Sequence, residues 1–263
     1  MTMVRKRVSR QRDPQRERAH FEALLATRGT LNWAERTPAA HRRRERRSAL
    51  LMQAAGIDTG LGRLVLEVGC GTGEYTRTLA ACTGARLVSI DITPPALQWA
   101  RRTVPSNVEL SCANVEMLPF ADHVFDAVVG NAVLHHLRLD RAMPELARVL
   151  RPGGRLCFAE PNMLNPQVFM ERNVPAIGRR LDNSPGETAF VRFRLRRQLE
   201  PLGFTAVTGR PFDFLHPLTP PSLIPAVERL GRMLERIPVV SEIAGSLLIT
   251  AELPAGSRNG GRP

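Results

Sequence analysis

Apolar side chains fill positions 64 to 66 and 68 (Leu64, Val65, Leu66, Val68), the pattern of a strand buried on both faces. Three glycines interrupt the run, after which Tyr75, Leu79 and Cys82 recur at helical spacing. Strand-like and helix-like stretches keep alternating downstream. Leu87-Val88-Ser89-Ile90 and Phe125-Asp126-Ala127-Val128-Val129 read as further buried strands, and residues 156–159 as another. Thr93-Pro94 opens a helix, and Met143, Leu146, Ala147 and Leu150 mark the inward face of a later one. Before the first strand, Asp13-Pro14 and Thr37-Pro38 each set a capping residue ahead of a proline. They predict two helices, ending at Gly29 and near Gly56. Beyond residue 160 the pattern predicts a helix over 190–202 and strands over 205–208 and 246–251. Such alternation predicts a doubly wound α/β sheet.

The turn after the first strand, Glu67-Val68-Gly69-Cys70-Gly71-Thr72-Gly73-Glu74, is the most informative segment. Glycines there let the backbone turn sharply and approach a ligand closely. A dinucleotide fingerprint needs a third glycine where Glu74 or Thr76 stands, and a glutamate in the first helical turn repels a pyrophosphate. The run resembles motif I of the class I S-adenosylmethionine-dependent methyltransferases, E/D-x-G-x-G-x-G, carried here by Glu67, Gly69, Gly71 and Gly73. The resemblance continues through Leu87 to Asp91, Asn114 to Phe120, Phe125 to Val129 and Val149 to Leu156, within residues 62–161.

That resemblance implies a Rossmann-like seven-stranded sheet with its last strand antiparallel, N-terminal helices, lid insertions and S-adenosylmethionine as cofactor. It implies that Asp91 grips the ribose hydroxyls, that Ile92 packs on adenine, and that Asn114, where relatives carry Asp, meets the adenine amino group through an amide oxygen. Cys70, Val115 and Asn131 complete the expected cofactor shell. Glu67, a charged residue inside an apolar strand, is expected to face the ligand, since burial without a partner is costly.

Residues 1–12 read as a disordered basic arm, 13–60 as a helical segment, 61–253 as the methyltransferase domain and 254–263 as a loose tail. Insertions near 162–188 and 211–243 are expected to form lids over the carboxyl ends of the strands. Trp33 falls where relatives place a helix that closes over the cofactor. In the second insertion Leu223, Val227, Leu230, Leu234 and Ile237 form a narrow apolar stripe, expected to pack on the sheet or on a dimer partner, with a lid or membrane-surface role as alternatives.

Charge adds one feature. The formal net charge is +12, and residues 1–47 hold 14 Arg and Lys against 5 Asp and Glu. The expectation is a solvated arm, with RNA or a lipid surface as the alternative partner. Four cysteines without C-x-x-C spacing, and no apolar run of about 20 residues, predict reduced thiols in a cytoplasmic protein without a membrane span.

Methyl transfer needs an acceptor held in line and, for a hydroxyl or carbon acid, a base. His136 is the first candidate and His135 the second, because their segment leaves a strand at the cofactor edge, and a helical projection sets the two side chains about 100° apart. Glu160 is expected to orient substrate or base. Asn131, Glu160 and Asn162 copy a known metal set poorly, so no metal is expected. An N/D-P-P-Y/F/W run, the mark of base and glutamine N-methylation, is absent after Asn131. The sequence is most similar to the type-11 group that contains the ubiquinone and menaquinone biosynthesis C-methyltransferases and many natural-product O-methyltransferases. This resemblance implies as acceptor an oxygen or carbon of a small molecule of apolar character, with a non-catalytic cofactor-binding protein as a further alternative.

Overall fold

The computed structural model describes residues 13–28, 37–57, 61–181, 184 and 187–255. The expected basic arm, Gly29, Trp33 and residues 256–263 lie outside them. Seven strands form one sheet: β1 (Leu64–Val68), β2 (Arg86–Asp91), β3 (Val108–Cys112), β4 (Phe125–Asn131), β5 (Leu150–Pro161), β6 (Thr205–Phe212) and β7 (Ser246–Glu252), in the order β3-β2-β1-β4-β5-β7-β6. Strands β1 to β5 are parallel, and β7 runs antiparallel between β5 and β6. The chain leaves β1 in one direction towards β2 and in the other towards β4. That reversal opens a crevice at the carboxyl ends of β1 and β4, where such sheets bind ligands.

Two apolar layers sandwich the sheet. Helix α1 (Pro14–Arg28) lies over the carboxyl edge, whereas α2 (Pro38–Ala55) drives Leu51, Met52 and Ala55 into the layer that holds Val65, Val129 and Cys157. Thr37 caps α2 by accepting the Ala40 N–H, and Gly56 ends it at φ 69°. Helices α3 (Glu74–Ala81) and α4 (Pro94–Ala100) follow β1 and β2, and α5 (Leu139–Val149) buries Met143, Leu146 and Val149 on the opposite layer. Among the described residues no helix is long and apolar enough to cross a membrane, and all four cysteines are free.

Three expectations need correction. The helix over 190–202 is broken: Phe190 bridges to Asn162, and after α6 (Pro166–Asn173) and α7 (Pro175–Arg180) only α8 (Leu195–Leu199) is α-helical, flanked by 3-10 turns. Pro201 lacks the N–H that would extend it. The basic cluster of α2 is no appendage, because Arg43 and Arg47 pair with Asp213, and Arg46 with Glu235. The apolar stripe is split. In α9 (Ile224–Leu234), Ile224 and Gly231 face inward with Val227 half-buried, while Leu223, Leu230 and Ile237 are exposed. Glu228 and Glu235 take the inner side to reach Arg42 and Arg46, which turns the stripe outward. A short helix, α10 (Pro238–Ser241), leads from α9 to β7.

Glu67 sits in the middle of β1, 2% exposed, and register places it opposite Ser89, whose hydroxyl donates to Oε2 at 2.7 Å. Burial pushes its carboxyl up from 4.5 to about 7, against the pull of that hydrogen bond. Between those values the folded state keeps a proton that the unfolded chain has released. Stability therefore falls as pH rises through that window. The variant Glu67→Gln is spared this loss: relative to the parent it should be no more stable near pH 4 and more stable at pH 8, by at most about 3 kcal/mol at 1.36 kcal/mol per unit. Urea unfolding of both proteins at several pH values measures the difference, and a difference independent of pH would show that Glu67 titrates in the folded protein as it does in the unfolded chain.

Candidate cofactor and acceptor site

A cavity of about 530 Å³ opens at the β1/β4 crevice. One end is built from strand termini. Gly69, Gly71 and Gly73 have φ of 72°, 52° and 86°. A Cβ on Gly69 would lie 2.6 Å from Val133, so the turn closes on the β4 loop only with glycine there. The N–H groups of Gly69 and Cys70 donate to the Ile90 carbonyl at 2.8 and 3.0 Å, clamping the turn to the end of β2. Asp91, at that end, accepts the Gly71 N–H on Oδ2 and the Thr93 N–H on Oδ1, both at 2.8 Å. Burial pushes its carboxyl up, and these donors pull it back only in part. Each oxygen keeps a lone pair for a ligand hydroxyl. Asn114 folds its amide oxygen onto the Glu116 N–H at 3.0 Å. Gly69, Cys70, Gly71, Asp91, Ile92, Asn114, Val115 and Asn131 all line the cavity.

Glu67 and Gly73 do not line it. Glu67 stands beneath the turn and bonds Ser89, because the pleat points its side chain into the protein and not past the strand end. The expected ligand-facing position is therefore corrected to a supporting one. A Cβ on Gly73 would meet Val104 and Thr103, so this glycine serves the packing of α3 against the segment after α4.

The opposite end is built on a strained turn. Ala132 has φ 51° and is held by its N–H bond to the Ala159 carbonyl. The next residues form a 3-10 turn, Leu134–His136, and Glu160 at the end of β5 satisfies it. Its Oε1 accepts the N–H groups of Val133 and Leu134, and its Oε2 meets His135 Nδ1 at 2.6 Å. Glu160 is wholly buried and does not line the cavity, and it holds His135 from behind the wall. His136 Nδ1 bonds Glu17 of α1 at 3.0 Å. Instead of pointing apart, the two imidazoles lie with centroids 4.1 Å apart, because both lean towards Glu187.

Electrostatics follow from these partners. Burial works to lower His135, but the Glu160 charge, with hydrogen bonds to Glu160 and Glu187, holds it up at about 8. His136 is lowered by burial and by its neighbour His135. Burial works to raise Glu187, yet the His135 hydrogen bond and the charges of His136, His135 and Arg172 hold it down at about 2. Arg172 Nη2 lies 2.6 Å from Glu187 Oε1.

Several residues at this end carried no sequence signal. Glu17 and Phe21 reach the cavity from α1, Arg172 and Glu187 from the first insertion, and Asp213 from the end of β6. Asp213 has φ 77° and is locked by Arg43 and Arg47, while Arg47 also donates to Asn131 and Ser246. Helix α9 does not line the cavity, so only the first residues of the second insertion act as wall.

Residues 66–158 match the methyltransferase-domain family. Methyltransferase GfsG of Streptomyces halstedii is 38% identical over 110 residues, 40% of this chain and 40% of that protein. The demethylmenaquinone methyltransferase of Tropheryma whipplei (strain Twist) is 42% identical over 102 residues, 38% of this chain and 42% of the other. The chain thus spans less than half the length of these curated relatives. The N-methyltransferase NodS of Bradyrhizobium japonicum, solved with S-adenosyl-L-homocysteine, superposes with a TM-score of 0.57 at 20% identity, over 89% of this chain and 98% of that one. Its likeness concerns the fold. With the glycine turn, the β2 acid, the strand order and the antiparallel β7 in place, residues 66–158 form a methyltransferase domain of the class I S-adenosylmethionine-dependent kind.

Proposed function

We propose that this protein transfers a methyl group from S-adenosylmethionine to an oxygen or carbon of a small molecule. The observation that carries the reading is the single cavity shared by the glycine turn with Asp91 at one end and the histidine pair at the other. Its volume falls within the roughly 300–1,000 Å³ of small-molecule sites. The cofactor supplies an electrophilic methyl when bound. Asp91 holds ribose hydroxyls, Ile92 and Val115 flank the adenine, Asn114 meets its edge, and Gly69 to Gly71 let the backbone come close.

The acceptor end mixes apolar walls, Phe21, Leu24, Val168, Leu181, Phe214 and Leu215, with His135, His136 and Arg172. Such a lining suits a compact acceptor with an apolar body and a polar reacting group. The likeness to a demethylmenaquinone methyltransferase supports a small-molecule acceptor. The protein orients the acceptor and excludes water, which is most of what this transfer requires.

The test is mass spectrometry of a cell extract incubated with the enzyme and methyl-labelled cofactor. A labelled small molecule is expected. Label confined to RNA or lipid would replace the acceptor class, and cofactor binding with no label anywhere would make the chain a binding protein.

Two variants test the parts. Asp91→Ala removes charge-assisted bonds worth about 1.5–3 kcal/mol each, so calorimetry should show S-adenosylhomocysteine affinity reduced at least about tenfold. An unchanged affinity would remove Asp91 from the ribose site. Deleting residues 1–12 should leave label transfer within about threefold of the parent. Deleting 1–28 removes Glu17, Phe21 and Leu24 from the cavity wall and should lower it at least about tenfold. Equal losses from both deletions would place the function in the basic segment.

A further inference from the structure

The side chains at the acceptor end are arranged more specifically than an acid–base pair requires. Both imidazoles are tied by Nδ1 to a carboxylate, His135 to Glu160 at 2.6 Å and His136 to Glu17 at 3.0 Å. Those bonds direct both Nε2 atoms at one oxygen, Glu187 Oε1, 3.0 Å from His135 and 3.9 Å from His136. Among the described residues this trio alone brings three donor atoms of histidine, cysteine or carboxylate side chains within 4.8 Å of one another. We propose that His135, His136 and Glu187 bind a divalent first-row transition-metal ion at the acceptor end of the cavity.

Four features support it. First, donors bound at ~2.0–2.2 Å on neighbouring corners of a tetrahedron or octahedron lie roughly 3–3.4 Å apart. One of the two nitrogen–oxygen separations already has that value, and the other needs to close by less than 1 Å. Second, a carboxylate on the far nitrogen of a ligating histidine fixes ring orientation and tautomer, and here both rings have one. Third, once the imidazoles give up their protons, as ligating histidines must, the contacting groups among the described residues hold three carboxylates, Glu17, Glu160 and Glu187, against one cation, Arg172. A divalent ion supplies the two missing charges at the point where the donors meet. Fourth, all three donor residues line the cavity, so three protein ligands leave a coordination position open to an acceptor oxygen.

The donor set selects the ion. Two imidazoles and one carboxylate suit Zn²⁺, Fe²⁺, Co²⁺ or Ni²⁺, whereas Mg²⁺ and Ca²⁺ prefer oxygen ligands. Arg172 does not block the site. It approaches Glu187 Oε1 at 2.6 Å, and a carboxylate oxygen has a second lone pair for a metal. The N–H of Ser184 accounts for the other oxygen, donating to Oε2 at 2.9 Å, so the carboxylate is held in its plane from both sides.

The inference stands apart from the methyl-transfer reading, because the cofactor end shares none of these three residues. The experiment uses the full, untagged chain, stripped with chelator and titrated with Zn²⁺ by calorimetry and with Co²⁺ by visible absorption. One ion per chain is expected, with ligand-field bands on Co²⁺ addition, while Mg²⁺ gives no heat. His135→Ala/His136→Ala should lower Zn²⁺ affinity at least about 100-fold. Glu160→Gln, which keeps every proposed ligand, should lower it about 10- to 100-fold. S-adenosylhomocysteine binding, read in parallel, reports that each variant is folded. Fewer than about 0.1 ions per chain in the parent would overturn the proposal without touching the cofactor site, as would Co²⁺ bands that survive in the double variant. If the double variant fails to bind S-adenosylhomocysteine, the parent stoichiometry and Glu160→Gln decide alone.

Discussion

Burying a carboxylate is tolerable only when protein donors replace water, and this requirement organises the carboxyl edge of the sheet. Glu160, wholly buried at the end of β5, meets it with the backbone N–H groups of the following β4 turn and with His135. The same bonds that stabilise the charge force the turn into its 3-10 form and fix the first imidazole. Glu187 repeats the logic from an insertion, and its partners His135 and Arg172 come from two different elements. Removing a partner would leave a buried charge less well compensated, so these contacts act as position markers as much as bonds.

Asp213 extends the scheme to the wall of the cavity. Its left-handed backbone, uncommon outside glycine, is kept because Arg43 and Arg47 of α2 hold the carboxylate and Arg47 continues to Asn131 and Ser246. Helix α2 is thereby bound to the sheet twice, by apolar packing through Leu51 and Met52 and by ions through its arginines. What composition presents as a surplus of positive charge near the amino terminus is, over 43–47, largely an internal counter-charge.

The fold was legible because its signals are local. Continuous apolar runs separated by glycine and proline placed β1, β2 and β4, and prolines after capping residues placed α1, α2 and α4. Element ends drifted where tertiary pairing extends a strand, as in β5 and β6, or where Pro201 cuts a helix short. The candidate cofactor half falls in one cavity for the same reason: most of its residues stand at or just past the end of a strand, inside a contiguous motif, whereas Glu67 and Gly73 of the same motif serve the fold behind it. The acceptor half was not legible. His136 meets Glu17 across 119 residues and His135 meets Glu187 across 52, and no spacing rule spans such separations. The histidines were visible as residues, but their common target was not, so a helical projection set them apart where the structure brings them together.

The division also says where specificity can change. The cofactor end rests on strands whose side chains belong to the core, so a substitution at Gly69 or Asp91 disturbs packing and binding together. The acceptor end is carried by α1, by the segment around Arg172 and Glu187, and by the stretch from Asp213 to Pro217, which touch the sheet mainly through ion pairs and hydrogen bonds. Those segments can vary in length and sequence at little cost to the sheet, provided that each buried charge keeps a partner. A change of acceptor is therefore expected to travel with compensating charge changes, Glu187 with Arg172 or Asp213 with Arg43, and not with changes in the strands.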